Sequence, residues 1–451
     1  MDEIKALKMS RGLIMLVSSL MVLGSACGYQ LENGGKIWGL LVAGSSGYDN
    51  YRHQADVCHA YQILHKNGIP DENIIVMMYD DIAYNEMNPT RGIIVNQPNG
   101  SDVYKGVLKD YTGEAVNSTN FLKVLTGDAK GMRGIGSGRV IKSGPSDHVF
   151  VNFVDHGAPG LLAFPRDELY ADDLERALRK MAVKRQFARL VFYVEACESG
   201  SMFDSLLPDD LNIFVVTAAD PHESSYACYY DSQRQTFLGD VFSVMWMQDS
   251  EKEDLLQESL HHQYEIVRTE TNTSHVEEYG DLDVGSMHVS EFLGYQISHK
   301  PKSFKTKLPP VNDAVPSHHV PIAILQHKLE AAVDPKEKQE IKFQLHRTLK
   351  YRHHMESIVS DILMLATGRD EDKVQELKVN GYKLSPKQFS CYKKLVSSFS
   401  EKCFKLSDNP HAFRQLYILA NVCGHEKVSM KSMMNAITKV CSRQPRLRGI
   451  I

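Results

Sequence analysis

The chain has 451 residues and a net charge of −5, with 43% hydrophobic and 24% charged residues. These values are ordinary for a soluble globular protein and exclude a low-complexity chain, while the length is sufficient for more than one domain. The basic residues are scattered, without interleaved aromatic residues, which argues against nucleic-acid binding.

The first 26 residues predict a secretory signal peptide. Three basic residues precede an apolar run over residues 13–23, and small residues follow up to Ala26. The alternative, an N-terminal membrane anchor, is disfavoured because this run is too short to span a bilayer comfortably, and no later segment is apolar enough to do so. Secretion would make three Asn-X-Ser/Thr sites candidates for glycosylation: Asn99, Asn117 and Asn272.

The next part of the chain alternates strands with helices. We predict strands over residues 37–43, 74–79, 149–154, 190–194 and 213–217, and helices over residues 53–66, 120–125, 172–182, 241–247 and 251–269. The region 80–145 is rich in glycine and proline and predicts loops around its single short helix. The pattern indicates an α/β fold, a mostly parallel sheet flanked by helices, over residues 30–297.

Two motifs follow neighbouring predicted strands of this sheet. Asp155-His156-Gly157 comes after the strand 149–154, and Glu195-Ala196-Cys197 comes after the strand 190–194. Parallel strands end at one edge of the sheet, so His156 and Cys197 should meet there. A histidine beside a cysteine is the arrangement of a nucleophilic thiol with its base, although either residue alone could be a structural core residue.

The chain changes character after residue 297. Lysines and prolines mark a linker over residues 298–320, and helical patterns then predict an all-α domain over residues 321–451, including helices 341–353 and 355–366. Four of the eight cysteines lie in this domain: Cys391, Cys403, Cys423 and Cys441. Two disulfides are expected there, with three pairings open, and zinc is disfavoured because there is no Cys-X-X-Cys pair. We interpret Cys58 and Cys228 as core thiols.

Several long motifs, in order, resemble the legumain family of asparaginyl endopeptidases. They are Ala43-Gly44-Ser45, residues 50–56, Asp155-His156-Gly157, residues 195–202, residues 223–231 and Leu238-Gly239-Asp240. The resemblance implies a caspase-like α/β fold with Cys197 as nucleophile, His156 as its partner and Asn50 orienting the imidazole. It also implies an oxyanion hole formed by the N–H groups of Gly157 and Cys197.

The resemblance further implies a specificity pocket for asparagine, formed by Arg52, His53, Glu195, Ser224 and Asp240. An asparagine carboxamide presents both a donor and an acceptor, so a selective pocket needs a cation and carboxylates together. Aspartate should fit only when it is protonated, at acidic pH. Without the family likeness, a surface ion pair would be the favoured interpretation of Arg52 and Asp240.

The helical tail is implied to be a prodomain that caps the active site and leaves on acidification, with Cys391–Cys423 and Cys403–Cys441 as its disulfides. Proline after Asp334 makes that bond a poor protease site, so Asn312 is our candidate for self-cleavage. We expect no cofactor or metal, and as partners protein and peptide substrates, the intramolecular prodomain and cystatin-type inhibitors. The expected location is a lysosome, an acidic vacuole or the extracellular space. A ligase on the same scaffold and a catalytically silent binding protein are the alternatives.

Overall fold

The structure of the protein is a computed structural model. It describes residues 31, 33–295, 310–379, 381–425 and 427–443. The predicted signal peptide, residues 1–26, and residues 298–309 of the predicted linker lie outside these ranges.

The first half of the chain forms strands and helices in alternation. These are β1 (Ile37–Ala43), α1 (Tyr51–Lys66), β2 (Ile74–Met77), α2 (Ser118–Leu125), β3 (His148–Val154), β4 (Gly157–Ala158), β5 (Leu161–Ala163), β6 (Glu168–Tyr170), α3 (Ala171–Val183), β7 (Arg189–Glu195) and β8 (Ile213–Thr217). Then come β9 (Tyr226–Asp231), β10 (Thr236–Asp240), α4 (Val241–Lys252), α5 (Leu260–Glu270), β11 (Glu277–Gly280) and α6 (Ser290–Leu293).

The C-terminal part is almost entirely helical. A two-residue strand, β12 (Val315–Pro316), precedes α7 (Val320–Ala331), α8 (Pro335–Ala366), α9 (Glu371–Leu377), α10 (Phe389–Lys402), α11 (Leu416–Gly424) and α12 (Met430–Cys441). The structure joins Cys391 to Cys423 and Cys403 to Cys441, the pairing that the resemblance implied. Cys58 and Cys228 are free and fully buried.

A six-stranded sheet organises the α/β part, in the order β11-β8-β7-β3-β1-β2. All neighbours are parallel except the edge strand β11. Strands β3 and β7 are completely buried or nearly so, because apolar side chains on both of their faces meet packed helices. Their register pairs Val154 with Glu195, which brings the two strand ends to the same edge.

The helical domain packs directly on one face of this α/β unit. Apolar side chains from both parts form one continuous buried cluster. Tyr170 meets Tyr392 edge to face, and the Lys393 ammonium lies 2.6 Å from the Asp172 carboxylate and 2.8 Å from that of Asp173. Burial and charge complementarity therefore both hold the helical domain in place.

The expected fold class, a mostly parallel α/β sheet followed by a helical domain, is confirmed. Two helix predictions were wrong. The predicted helix 251–269 is interrupted, since α4 ends at Lys252 and α5 begins only at Leu260, capped by the Ser259 side chain. The predicted helices 341–353 and 355–366 are one helix, α8, that begins after Asp334. The antiparallel pair β9–β10 was not predicted.

Candidate active site

His156 and Cys197 follow the adjacent strands β3 and β7 and line one cavity of about 240 Å³. The parallel pairing of these strands explains why residues forty positions apart meet at a single sheet edge. Asn50, at the start of α1, completes the group. The structure thus brings to one cavity the four residues that the resemblance implied for catalysis: Asn50, His156, Gly157 and Cys197.

The contact between Asn50 and His156 fixes the imidazole tautomer. Asn50 donates from Nδ2 to the carbonyl of Ser46 at 2.9 Å, which turns its Oδ1 atom towards His156 Nε2, also at 2.9 Å. An amide oxygen only accepts hydrogen bonds, so Nε2 carries the hydrogen. The Nδ1 atom of His156 is therefore left as the proton acceptor.

The thiol of Cys197 lies among hydroxyl groups. Its Sγ atom is 3.2 Å from Ser224 Oγ and 3.7 Å from Ser225 Oγ. Burial, followed by the negative charge of Glu198, raises the pKa of Cys197 to about 11, although the two serines oppose this shift. Burial, followed by the charge of Arg52, lowers the pKa of His156 to about 3. In this closed state the thiol is protonated and the imidazole is neutral.

Gly157 is required by a close backbone approach. A Cβ atom at this position would lie 2.1 Å from the carbonyl oxygen of Cys197, a distance that no side chain can adopt. The absence of a side chain lets the β4 backbone lie against the nucleophile loop.

The predicted specificity residues are buried next to this cavity. Arg52 donates from Nε to Asp240 at 2.8 Å, and its side chain and that of Asp240 are each only 1% exposed. His53 Nε2 lies 3.7 Å from the other oxygen of Asp240. Glu195 accepts from the N–H and the hydroxyl of Ser243, at 2.8 and 3.0 Å. Ser224, by contrast, contacts the Cys197 thiol and none of these pocket side chains in the hydrogen bonds of the described residues.

Two carboxylate oxygens in this pocket, Glu195 Oε1 and Asp240 Oδ2, have no hydrogen-bond partner among the described residues. Burial raises the pKa of both carboxyl groups; mutual repulsion adds to the effect at Glu195, and Arg52 opposes it at Asp240. A buried acceptor without a donor is costly, and a ligand that brings N–H groups would satisfy it. The pocket is thus arranged for a group that both donates and accepts.

Sequence reasoning missed two supports of the pocket. Asp56 accepts from the backbone N–H of Asp240 at 3.2 Å and from Asn96 Nδ2 at 2.6 Å. Both residues are fully buried or nearly so. The signal for Asp56 was its place four residues after Arg52 in a helix, where the two side chains share a face. Asn96 lies in a long loop and gave no such signal.

The segment that precedes α7 occupies the cleft. Ser317 accepts a hydrogen bond from Arg52 Nη2 at 2.7 Å, and its own N–H donates to the carbonyl of Ser225 at 2.8 Å. His318 Nδ1 lies 3.1 Å from Ser224 Oγ, beside the thiol. The same cavity is lined by His411, Phe413 and Arg414 of the helical domain. In this state the helical domain covers the candidate active site.

A basic cluster forms where this segment meets the helical domain. The guanidinium of Arg414 contacts the His318 ring, and Arg352 Nη2 donates to the His318 carbonyl at 2.9 Å. Burial, followed by the positive charge of Arg414, lowers the pKa of His318 to about 2. Burial, followed by the charge of Arg352, lowers the pKa of His411 to about 3. The covered state therefore requires both imidazoles to be neutral.

One group of potential metal ligands coincides with the site. His53, Asp155 and His156 offer ligand atoms within 4.8 Å of one another. However, His53 Nδ1 already bonds Ser45 Oγ at 2.7 Å, and Asp155 Oδ1 accepts from the His156 backbone N–H at 2.6 Å. A metal bound through His53 Nδ1, Asp155 Oδ1 or His156 Nε2 would have to displace these bonds or the Asn50 contact.

The three predicted glycosylation sites lie at the surface of the α/β part to different degrees. Asn99 and Asn272 are exposed, while Asn117 is partly buried and caps α2 by accepting from the N–H of Asn120. None of the helices among the described residues is long and apolar enough to cross a bilayer.

A buried thiol, a histidine oriented by an amide and a closed polar pocket, all covered by a helical domain, are the arrangement expected of a cysteine protease in its zymogen form. The sequence profile of the Peptidase C13 family matches residues 37–295, and that of the legumain prodomain matches residues 343–441. The chain therefore belongs to the legumain family, and it is an asparaginyl cysteine endopeptidase that carries the family's prodomain.

Curated relatives cover nearly the same length. The chain is 50% identical to mouse legumain over 91% of this chain and 93% of that protein, and 50% identical to human legumain over 87% and 90%. It is 42% identical to the hemoglobinase of Schistosoma japonicum over 90% and 92%. A structure of caspase-1 from Spodoptera frugiperda aligns with 59% of this chain and 92% of that one, with 11% identity and a TM-score of 0.33, which is too low to support an argument.

Proposed function

We propose that Cys197 is the nucleophile, that His156 Nδ1 takes its proton, and that Asn50 positions the imidazole. The thiolate attacks the carbonyl carbon of the scissile peptide bond, and the resulting oxyanion accepts hydrogen bonds from the N–H groups of Gly157 and Cys197. His156 then protonates the leaving amine. In the second step water, deprotonated by His156, hydrolyses the thioester.

Asparagine specificity follows, in this proposal, from the pocket of Arg52, His53, Glu195 and Asp240. The carboxamide oxygen would accept from Arg52 Nη2, the donor that Ser317 engages in the covered state. The carboxamide NH₂ would donate to Glu195 Oε1 and Asp240 Oδ2, two buried oxygens that have no partner in the described part of the chain. This set of unsatisfied acceptors beside one cation is the observation that carries the proposal, since aspartate could bind only when protonated.

Turnover of acetyl-Ala-Ala-Asn, Ala-Ala-Asp and Ala-Ala-Gln reporter peptides tests this function. The protein is incubated at acidic pH, and wild type is compared with Cys197→Ala. We expect cleavage of the asparagine peptide at pH 5.5 to 6.5, cleavage of the aspartate peptide only at lower pH, and none in the variant. Equal cleavage of the asparagine and aspartate peptides at neutral pH would overturn the pocket assignment, and activity in the variant would overturn Cys197.

We further propose that residues 30–297 form the protease domain, residues 298–320 the linker and residues 321–451 the prodomain. Asn312 is the proposed self-cleavage site. It is exposed, but Ser317 occupies the cleft five residues further on, so cleavage at Asn312 would come from a second molecule or after the cap opens. Incubating Cys197→Ala zymogen with a trace of active enzyme, followed by sequencing of the new N-terminus, checks this site; Asn312→Gln should prevent the cut.

An acidic compartment fits this mode of activation. The relatives include legumains and a vacuolar-processing enzyme of Arabidopsis thaliana, which supports a lysosome or vacuole, with secretion as the alternative. Cystatin-type proteins are the proposed inhibitors, and glycans are proposed at Asn99, Asn117 and Asn272. Glycosidase treatment followed by peptide mass mapping, together with the location of the tagged full chain in cells, tests these assignments.

A further inference from the structure

The segment that leads into α7 lies in the cleft as an added strand. Its strand β12 pairs antiparallel with β9, and the register sets Val315 opposite Ala227 and Pro316 opposite Tyr226. The next residue, Ser317, donates its N–H to the Ser225 carbonyl and reaches Arg52 with its side chain. Ser317 therefore stands where the asparagine of a substrate would stand, and the residues before it trace the path of the substrate chain.

Further along this path, the side chain of Asp313 meets two consecutive backbone amides. The Tyr229 N–H donates to Asp313 Oδ1 at 3.0 Å, and the Tyr230 N–H donates to Asp313 Oδ2 at 2.6 Å. The two amides converge because Tyr229 has a φ of +63°, a left-handed conformation that is unfavourable for a tyrosine. Successive N–H groups arranged in this way form a concave anion-binding site.

We propose that the amides of Tyr229 and Tyr230 form a substrate subsite for an acidic side chain four residues before the scissile asparagine. This inference rests on the proposed function, since it takes Ser317 as the stand-in for that asparagine. Asp313 fills the subsite in the zymogen, and departure of the linker would free it for the Asp or Glu of a protein substrate. The preferred substrate then carries an acidic residue, three intervening residues and asparagine.

The nearest carboxylate on the same hairpin does not compete for these donors. Asp231 accepts instead from the backbone N–H groups of Gln233, at 2.9 Å, and Arg234, at 2.7 Å. On the side of the following helix, the His327 ring of α7 stacks on the Tyr230 ring. Asp313 is the acceptor that the structure gives to both of these backbone amides.

The test is a set of acetylated pentapeptide reporters, which are cut at pH 6 by the enzyme obtained from acid activation of the full-length chain. The parent, acetyl-Asp-Ala-Val-Pro-Asn, copies the residues before Ser317, and its first residue is replaced by Ala or Lys. A matched control with the same charge, acetyl-Ala-Asp-Val-Pro-Asn, moves the carboxylate by one position. Products are identified by mass spectrometry, so that any cleavage after aspartate is counted separately.

We expect kcat/KM for the parent peptide to exceed that of the alanine peptide by about five-fold, mainly because KM is lower. Two charge-assisted hydrogen bonds at a partly exposed site would give an effect of this size. The lysine peptide should be poorer than the alanine peptide, the shifted control should lose the advantage, and added salt should reduce it. Equal kcat/KM for all four peptides would overturn the subsite while leaving asparagine specificity intact. No cleavage of any of them would instead indicate failure of the proposed function.

Discussion

Replacing His411 with asparagine tests whether buried neutral histidines make the covered state sensitive to acid. His411 is only 7% exposed, and its Nδ1 atom has no hydrogen-bond partner among the described residues. Burial lowers the pKa of His411 to about 3, and the charges of Arg352, Arg414 and His319 add to this effect. Once the cap opens, the imidazole should regain a pKa of about 6.5.

The sign of the effect follows from proton uptake on opening. Because the open form binds the proton more tightly, His411 does not affect the covered state above about pH 6.5 and destabilises it progressively between about pH 6.5 and 3. At pH 4.5, two units below the ordinary pKa, this contribution is at most ~2.7 kcal/mol, or about 100-fold in the opening equilibrium. Asparagine is polar but does not titrate, so His411→Asn should remove this contribution.

The assay is the rate at which the C-terminal fragment is lost, measured on gels between pH 7 and 4. The rate of the variant is divided by the rate of wild type at each pH, which cancels the pH dependence of catalysis itself. We expect a ratio near one at pH 7 that falls by up to about 100-fold at pH 4.5. The control is His346→Asn, on the exposed side of α8, for which the ratio should stay flat. A flat ratio for His411→Asn as well would refute the reasoning.

Three further predictions concern other parts of the site and the cap. Gly157→Ala places a Cβ atom against the Cys197 carbonyl, so kcat should fall by at least about 100-fold; unchanged kcat in the purified variant would contradict this role. Arg52→Gln leaves Asp240 buried without its cation, which should lower the free energy of unfolding by about 3–5 kcal/mol and abolish cleavage after asparagine. Denaturant titration measures the first effect and peptide turnover the second. A variant as stable as wild type would refute the buried ion pair. The double variant Cys391→Ser/Cys423→Ser removes the disulfide that closes a loop with a sequence separation of 32 residues, and should destabilise the prodomain by about 3.7 kcal/mol. Calorimetry should show a lower melting temperature, and activation should begin at a higher pH. Activation at the wild-type pH would contradict this prediction.

The positions of His156 and Cys197 could be predicted because the information was local. Each residue follows an apolar, β-branched run, and the rule that parallel strands end at one edge places them together. The split between α4 and α5 was also recoverable, since Ser259 is a good N-cap. Likewise, Asp334 followed by Pro335 is a typical start of a helix, which the interpretation of this bond as a poor cleavage site did not use.

Other features depend on contacts distant in sequence. Nothing near Ser317 or His318 shows that these residues reach Arg52 and Ser224, because that contact is set by the docking of the whole helical domain. The anchoring of Asp240 by Asp56 joins residues 184 positions apart. The short hairpin β9–β10 was missed because its strands carry cysteine, glycine and tyrosine rather than an alternating pattern.

The burial of Cys197 also affects its redox chemistry. Burial and the charge of Glu198 raise the pKa of Cys197 in the covered state, so its thiolate is scarcer at pH 7 than that of an ordinary cysteine. Peroxide and disulfide exchange act through the thiolate, and the cap also blocks access. The docked prodomain should therefore protect the Cys197 thiol from oxidation under the conditions in which its own two disulfides form.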